Sequence, residues 1–417
     1  MRFWLLPTLC TLLVTPFWAY GSPRNDTIEV RGRVTQARTD EDRATTRTTR
    51  RQLRERQPQS TPDALRFSPG VYVQQTAHGQ GSPYIRGRTG QQTLFLFDGL
   101  RLNHALFRKG PNQYLFTVDA RTLASIDVVR GSASVDFGND AIAGAVLLEP
   151  LEPSLDPTKK SFKARPSLFV RTGSADGEFG GRLQLDLQWA GWVGVLVGVG
   201  ARKVGQLEAG GNAFPDGRSP NQICTGIESI PCFESDGRTQ LGTGFDEVTA
   251  DGRVVFQWPK ARLTAATYVY RQFDAPRTDQ CPPPEAAKGE CLIVEEQFRT
   301  QAYTKLEVSP DWVGLSQFET AAGWQRQHQR HRLDRPDRIP TDGVDTTTTN
   351  IGRDAIDAIN GFVRAQTQAI PLGPIDLDIR YGVDGSYETV GSSAWIKFNE
   401  PPLTHPLDRG RYMTDST

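Results

Sequence analysis

The residues able to do chemistry are few and scattered. The chain has five Cys and five His among 417 residues. Cys10 sits in an apolar amino-terminal run, and the other four form two close pairs, Cys224 with Cys232 and Cys281 with Cys291. An even number of cysteines in an exported chain points to two disulfides, with the connectivity left open. Each short loop so closed would gain roughly 2–3 kcal/mol in the chain-entropy model. Zinc is the rival reading, weakened because no C-x-x-C occurs and no His lies within either cysteine segment. His328 and His331 are three apart, so on a strand they face opposite sides and make a poor metal pair. Asp334, Asp337, Asp342 and Asp345 crowd one segment. Calcium would use such oxygens, but a solvated acidic loop is the preferred reading. No nucleophile–base constellation, phosphate-binding Gly loop or zinc-protease motif is present in the sequence. The expectation is a protein that binds or moves something, not an enzyme, with no metal and no cofactor.

The start of the chain explains the export. Arg2 supplies a short positive region, and Phe3 to Val14 is largely apolar. Ala19-Tyr20-Gly21 puts small residues at a cleavage site, so residues 1–21 read as a signal peptide that carries Cys10 away. Lys plus Arg number 48 and Asp plus Glu 48, so the neutral chain gives no reason to expect nucleic acid. Hydrophobic residues are 37%, charged residues 23% and mean hydropathy −0.47, which excludes a bundle of transmembrane helices. Eight Trp, ten Tyr and twenty Phe are enough aromatic mass to exclude wholesale disorder. Forty Gly and 28 Pro favour turns and strands over long helices.

The elements that must position any site fall into two textures. An Arg-rich polar lead-in follows the signal, and a denser block then runs to Leu147-Leu148-Glu149-Pro150. A domain boundary is expected there, at about residue 152. Beyond it, Leu183-Gln184-Leu185-Asp186-Leu187-Gln188-Trp189 and Ile375-Asp376-Leu377-Asp378-Ile379-Arg380-Tyr381 alternate apolar and polar residues. Val193, Val195, Val197 and Val199 share one parity, with Gly194, Gly198 and Gly200 on the other. Period-two patterning sets one apolar and one polar or small face. About nine such strands recur, near 167–173, 179–189, 192–203, 246–257, 261–273, 294–309, 315–330, 356–370 and 375–389. Short turns such as Ala190-Gly191 and Pro259-Lys260 alternate with long connections at 204–245, 274–293 and 331–355. That asymmetry is the signature of an outer-membrane barrel, with a soluble β-sandwich or propeller as the alternative. Trp189, Trp192, Trp258, Tyr268, Tyr270, Trp324 and Tyr381 are the expected interfacial aromatics.

Four strings in the denser block are specific in combination. They are Phe67-Ser68-Pro69-Gly70-Val71-Tyr72-Val73; Tyr84-Ile85-Arg86-Gly87-Arg88-Thr89-Gly90; Thr93 to Asn103 with Asp98-Gly99 inside it; and Ile126 to Val146 with Arg130-Gly131 and Phe137-Gly138. In this order they closely resemble the plug domain of TonB-dependent outer-membrane receptors. The physics agrees: Gly87, Gly99, Gly131, Gly138 and Gly144 would permit tight reversals, and Leu94, Leu96 and Leu100 would fill a small core.

The resemblance implies a mostly β chain, a small α+β plug inside a transmembrane antiparallel barrel. Residues 22–43 would be lead-in, 44–152 plug and 153–417 barrel. Asp26-Thr27-Ile28-Glu29-Val30 looks like the TonB box, which adds a strand to the TonB energy-coupling protein in the periplasm. Arg86 and Arg130 lie where similar receptors place arginines facing barrel glutamates. His104, Arg108, Lys109, Asn112 and Tyr114 would form a plug loop facing the ligand. The family barrel has about 22 strands. With about nine here, the chain is expected to be the amino-terminal part of a longer receptor, and the glutamates to lie in the rest. The function so implied is import of a scarce nutrient at the cell outer membrane, an iron–siderophore complex first, with cobalamin, haem or a glycan as rivals. The other reading is a receptor that binds or signals without transport. The partners implied are TonB, outer-membrane lipid and a small ligand such as a metal chelate.

Overall fold

The computed structural model describes residues 44–106, 113–156, 158, 161–214, 233–277, 290–310, 314–335, 348–373, 375–398 and 403–406. The amino-terminal block contains β1 (Ala44–Thr49), α1 (Arg50–Arg56), α2 (Thr61–Ala64), β2 (Val71–Ala77), β3 (Gln80–Ile85), β4 (Thr93–Phe97) and β5 (Leu100–Arg101). It continues with β6 (Leu123–Arg130), α3 (Ser134–Phe137) and β7 (Gly144–Pro150). Five strands pair in the order β1-β6-β7-β4-β5, and β2–β3 form a separate hairpin. Only β4 and β7 run parallel within that sheet.

This small sheet is covered on both faces, so its central strands read as unbroken apolar runs. Leu94 and Leu96 pack with Val129, Phe137 and Ala145 on one side. Phe95, Phe97 and Leu100 pack with Ile126, Val128, Val146 and Leu148 on the other. Each fully buried Leu, Val or Phe contributes about 1.5–3 kcal/mol relative to an exposed one. The expected core leucines are therefore all buried, but Leu100 lies across the sheet from Leu94 and Leu96. Thr49 opens α1 with a capping box, its hydroxyl accepting from the Gln52 N–H while Gln52 reaches back to the Thr49 N–H.

The second sheet holds β8 (Lys163–Gly173), β9 (Glu178–Trp189) and β10 (Val193–Val204), then, after the short pair β11 (Leu207–Glu208) and β12 (Thr239–Gln240), β13 (Phe245–Gln257) and β14 (Ala261–Pro276). It goes on through β15 (Cys291–Val308), β16 (Leu315–Arg335) and β17 (Thr348–Thr367). The hairpin β18 (Ile370–Leu372) with β19 (Ile375–Leu377) intervenes before β20 (Arg380–Phe398) and β21 (Leu403–Pro406). Ten strands pair in sequence order, all antiparallel, from β8 at one edge to β21 at the other. The expected strands are present. Residues 331–335 and 348–355, read as loop, extend β16 and β17 instead. Apart from Leu333, Ile351, Gly352 and Ala355 those extensions are polar, so the ladder continues where the hydrophobic alternation has faded. The ninth strand is displaced for a related reason: Ile375–Leu377 turns back on Ile370–Leu372, and the long strand begins only at Arg380.

Strand parity decides what each wall residue meets. The outward rows are apolar, with Phe179, Leu183, Val199, Val363, Val383 and Tyr387 all exposed. The inward rows are polar and buried against the amino-terminal block, as with Glu247, Thr249, Arg253, Gln297, Gln301 and Gln327. The small parity of β10 serves the inward face: a Cβ on Gly198 would lie 2.1 Å from the Arg182 guanidinium. Trp189, Trp192, Trp258, Trp324 and Tyr381 are exposed outward, but two expected interfacial aromatics are not. Tyr268 packs edge-on to Phe97 at 4.7 Å, and Tyr270 is buried with its hydroxyl on Glu247. Both sit at inward parity on β14, where an aromatic ring with a polar tip fills the space between the two sheets.

Candidate functional site between the two sheets

The seam between the small sheet and the wall carries most of the buried charge. Asp98 and Gly99 form the two-residue link between β4 and β5, with Phe97 paired to Leu100 across it. Their φ values of 51° and 84° are those of a primed hairpin turn, for which Asp-Gly is a favoured sequence. The turn thrusts the Asp98 carboxylate at the wall. Arg253 Nη1 donates to Asp98 Oδ2 at 2.7 Å, and the Tyr303 hydroxyl donates to the same oxygen at 2.7 Å. Lys305 Nζ reaches Asp98 Oδ1 at 3.3 Å and Glu319 at 2.6 Å. Arg253 Nη2 also meets Glu152 at 3.2 Å, and Arg262 closes on Glu152 at 2.6 Å. One cluster thus joins β4–β5, the segment after β7, and strands β13 to β16.

A second cluster lies farther along the strands, towards the long connections. Asp119 accepts from the Arg121 N–H and from Arg121 Nε, both at 2.8 Å. Burial opposes its ionisation, but Arg121 and Arg182 outweigh that and hold its carboxyl well below the usual range. Arg121 then reaches Glu247 at 2.8 Å, which also takes Arg202 at 2.7 Å and the Tyr270 hydroxyl at 2.9 Å. Arg202 donates in turn to the Gln59 carbonyl at 2.7 Å. Beside it His78 and Asp176 meet at 3.2 Å. Burial lowers the His78 pKa, with Asp176 partly offsetting the effect.

On the β17–β20 side the seam opens into a cleft of about 1000 Å³, lined among others by Arg101, His104, Asp140, Arg364, Asp384 and Glu388. Arg101 is ion-paired with Asp140, and Glu388 accepts from the Ala105 N–H at 2.8 Å.

The sequence-predicted residues divide accordingly. Asp98 and Gly99 stand at the centre of the first cluster. Gly87, Gly131 and Gly138 all have positive φ. Arg86 is exposed, and Arg130 donates to Thr46 Oγ1 at 2.6 Å. Neither forms an ion pair with a carboxylate among the described residues. His104 and Tyr114 are buried with rings 4.8 Å apart, where the wall and the small sheet meet. Burial and the nearby Arg299 lower the His104 pKa to about 3, so its ring is neutral. Cys291 is disulfide-bonded. Residues 1–21, Asp26 to Val30, Arg108, Lys109, Asn112, Cys224, Cys232 and Cys281 lie outside the described residues. The seam residues Arg253, Tyr303, Lys305, Glu152, Glu247, Arg202, Asp119 and Arg121 were not singled out by sequence reasoning. A signal existed: an Arg, Glu or Lys on the polar parity of a barrel strand is a candidate partner for whatever fills the barrel.

Residues 37–145 match the family model described as the TonB-dependent receptor plug domain. A segment of the chain is 32% identical over 149 residues to the vitamin B12 transporter BtuB of Vibrio vulnificus (strain CMCP6), covering 34% of this chain and 24% of the transporter. The chain carries a TonB-dependent receptor plug domain. Among solved structures, the copper transporter OprC superposes with a TM-score of 0.63 at 14% identity, over 87% of this chain and 49% of that one. The siderophore receptor PiuA from Acinetobacter baumannii gives 0.57 at 13%, over 88% of this chain and 48% of that one. The ferric yersiniabactin uptake receptor FyuA from Yersinia pestis gives 0.54 at 12%, over 88% and 60%. This plug-bearing chain therefore spans about half the length of these proteins, and its likeness to them is one of fold. Its small sheet is the plug, its ten-stranded sheet is part of the barrel, and its place is the outer membrane.

Proposed function

We propose that this receptor imports a small, metal-bearing nutrient across the outer membrane, an iron–siderophore complex being the first candidate. The observation that carries the reading is the Asp98–Arg253 cluster. A permanent plug needs only an apolar interface, whereas this one is held by buried charges. Such charges cost several kcal/mol each to desolvate and are stable only while paired. An interface of that kind has one tight arrangement and resists small displacements, which suits a gate that must stay shut until pulled. Residues 26–30 would supply the pull by adding a strand to TonB, through main-chain hydrogen bonds that tolerate side-chain variation. Nutrient capture falls to the long connections and the plug loop around residues 104–114. Relatives of this fold include copper, cobalamin and siderophore receptors, which supports a metal chelate as the ligand class.

The test is uptake of radiolabelled iron carried by a panel of siderophores, in cells expressing the full-length receptor with or without residues 26–30. Uptake is expected to vanish in the deletion while binding at the cell surface is retained. Undiminished uptake in the deletion would overturn coupled import.

A further inference from the structure

The outward face of β16 changes character part-way along the strand. Alternate residues of a strand share a face, and the buried Gln325, Gln327 and Gln329 mark the inward row. The outward row from Phe318 to Trp324 is apolar apart from Thr320, and its next four positions are Arg326, His328, Arg330 and Arg332. On β17 the outward Val363 and Ile359 likewise give way to Asp357 and Arg353. Trp324 stands at the change, its indole N–H donating to Asp357 at 3.1 Å. The charged ends of both strands run towards the connection between them, one of the long ones, so they lie on the outer side of the membrane. The switch from apolar to basic therefore falls where lipid tails meet headgroups.

The pairing of these charges is incomplete. Arg330 and Arg353 stand directly opposite each other in the β16–β17 ladder, both on the outward face. Cβ atoms so placed lie about 5 Å apart, and like charges there repel. Arg330 meets Glu295 at 2.7 Å, but Arg332 takes the same carboxylate at 3.4 Å, as well as Asp334 at 3.0 Å. His328 occupies Glu296 at 3.0 Å. Arg326 reaches Asp357 only at 3.8 Å, with both side chains exposed. Arg353 is exposed, forms no ion pair among the described residues, and rests 5.4 Å from the centre of the Trp395 ring. Exposed ion pairs are weak, whereas a guanidinium fork matches two phosphate oxygens at once.

We propose that this patch binds a phosphorylated glycolipid of the outer leaflet, with one phosphate monoester set between the Arg330 and Arg353 guanidiniums. A monoester carries up to two charges and three free oxygens, enough to answer both forks and to turn their repulsion into attraction. The lipid is favoured over a soluble anion because the patch faces the bilayer, where acyl chains on the apolar row at Trp324 and Ile359 hold a headgroup at the height of the arginines. The site rests on the outer-membrane placement of the barrel and is independent of the transport reading.

The probe is an acylated glucosamine disaccharide bearing two phosphates, titrated into the full-length receptor in detergent and followed by native mass spectrometry. One retained lipid is expected with the phosphorylated probe and none with its dephosphorylated form at the same concentration. Arg330→Gln combined with Arg353→Gln is expected to weaken binding by about tenfold or more, the loss of at least one charge-assisted contact. Lys203→Gln removes an exposed charge from β10, away from the patch, and is expected to bind as the parent does. Should the double variant fail to fold, Arg330→Lys with Arg353→Lys keeps both charges but loses the forks, and is expected to bind several-fold more weakly. Equal retention of the dephosphorylated probe, an equal loss in Lys203→Gln, or displacement of the lipid by an equimolar amount of inorganic phosphate would each overturn the proposal.

Discussion

Asp98 in the plug and Arg253 in the barrel wall, 155 residues apart, meet at 2.7 Å with their side chains 0% and 1% exposed. The Asp-Gly turn that presents the carboxylate is local, but its partner comes from β13 across the seam. Replacing such a pair by apolar groups is often nearly neutral, while removing one member strands the other. Asp98→Asn is accordingly expected to loosen the plug by about 3–5 kcal/mol. The double variant Asp98→Asn with Arg253→Met is expected to cost less than the single one. Hydrogen exchange at the amides of residues 94–101 measures both, and a single variant indistinguishable from the parent would show that the pair does not hold the plug.

Gly144 begins β7 with φ of 148°, and a Cβ there would lie 2.1 Å from the Val129 carbonyl oxygen. Gly144→Ala must therefore break the β6–β7 ladder locally, a strain of at least about 1–3 kcal/mol before any packing loss. Gly87→Ala has open space around it and faces only the positive-φ penalty of about 1–2 kcal/mol. Thermal melts of the two variants are expected to rank in that order.

The His104 ring, its pKa lowered to about 3 by burial and Arg299, gives the plug an acid sensitivity of definite sign. Between the unfolded value near 6.5 and about 3, the unfolded chain binds a proton that the folded chain does not. Stability is thus fully present above pH 6.5 and is lost as pH falls, by up to about 1.4 kcal/mol per pH unit from this group. Melts between pH 7 and pH 4 on the parent and on His104→Gln are expected to show a shallower slope in the variant.

Phe362 and Val363 are neighbours on β17 with opposite destinations. Phe362 packs against the Gly99 turn of the plug, whereas Val363 faces outward. Fluorophores on single cysteines at the two positions, in reconstituted bilayers, are expected to be quenched by lipid-borne nitroxides at 363 and protected at 362. Equal quenching at both would contradict the inward and outward rows described above.

Cys291 is in a disulfide, and its nearest cysteine in sequence is Cys281, ten residues earlier. Mass spectrometry of a non-reducing digest is expected to find Cys281 linked to Cys291 and Cys224 linked to Cys232. Crossed pairs would show that sequence proximity does not govern the pairing.

The sequence by itself determined the parts of this protein whose causes are local. Period-two alternation in Leu183–Trp189 and Val193–Val199 fixed strands and their two faces, because successive side chains must point to opposite sides. Asp98-Gly99 fixed a hairpin turn, because few other dipeptides accept two positive φ values at low cost. The combined plug strings marked the plug domain. Tertiary structure alone decided who meets whom across the seam. Nothing near Arg253 in the sequence names Asp98, and nothing near Glu247 names Arg121, since ion pairing depends on distance in space. Tyr268 and Tyr270 were misread for the same reason: a Tyr suits a lipid interface or a buried hydroxyl contact equally well, and only the inward parity of β14 chose between them. The extensions of β16 and β17 escaped notice because their ladders are held by backbone hydrogen bonds, which leave no hydrophobic imprint on the sequence.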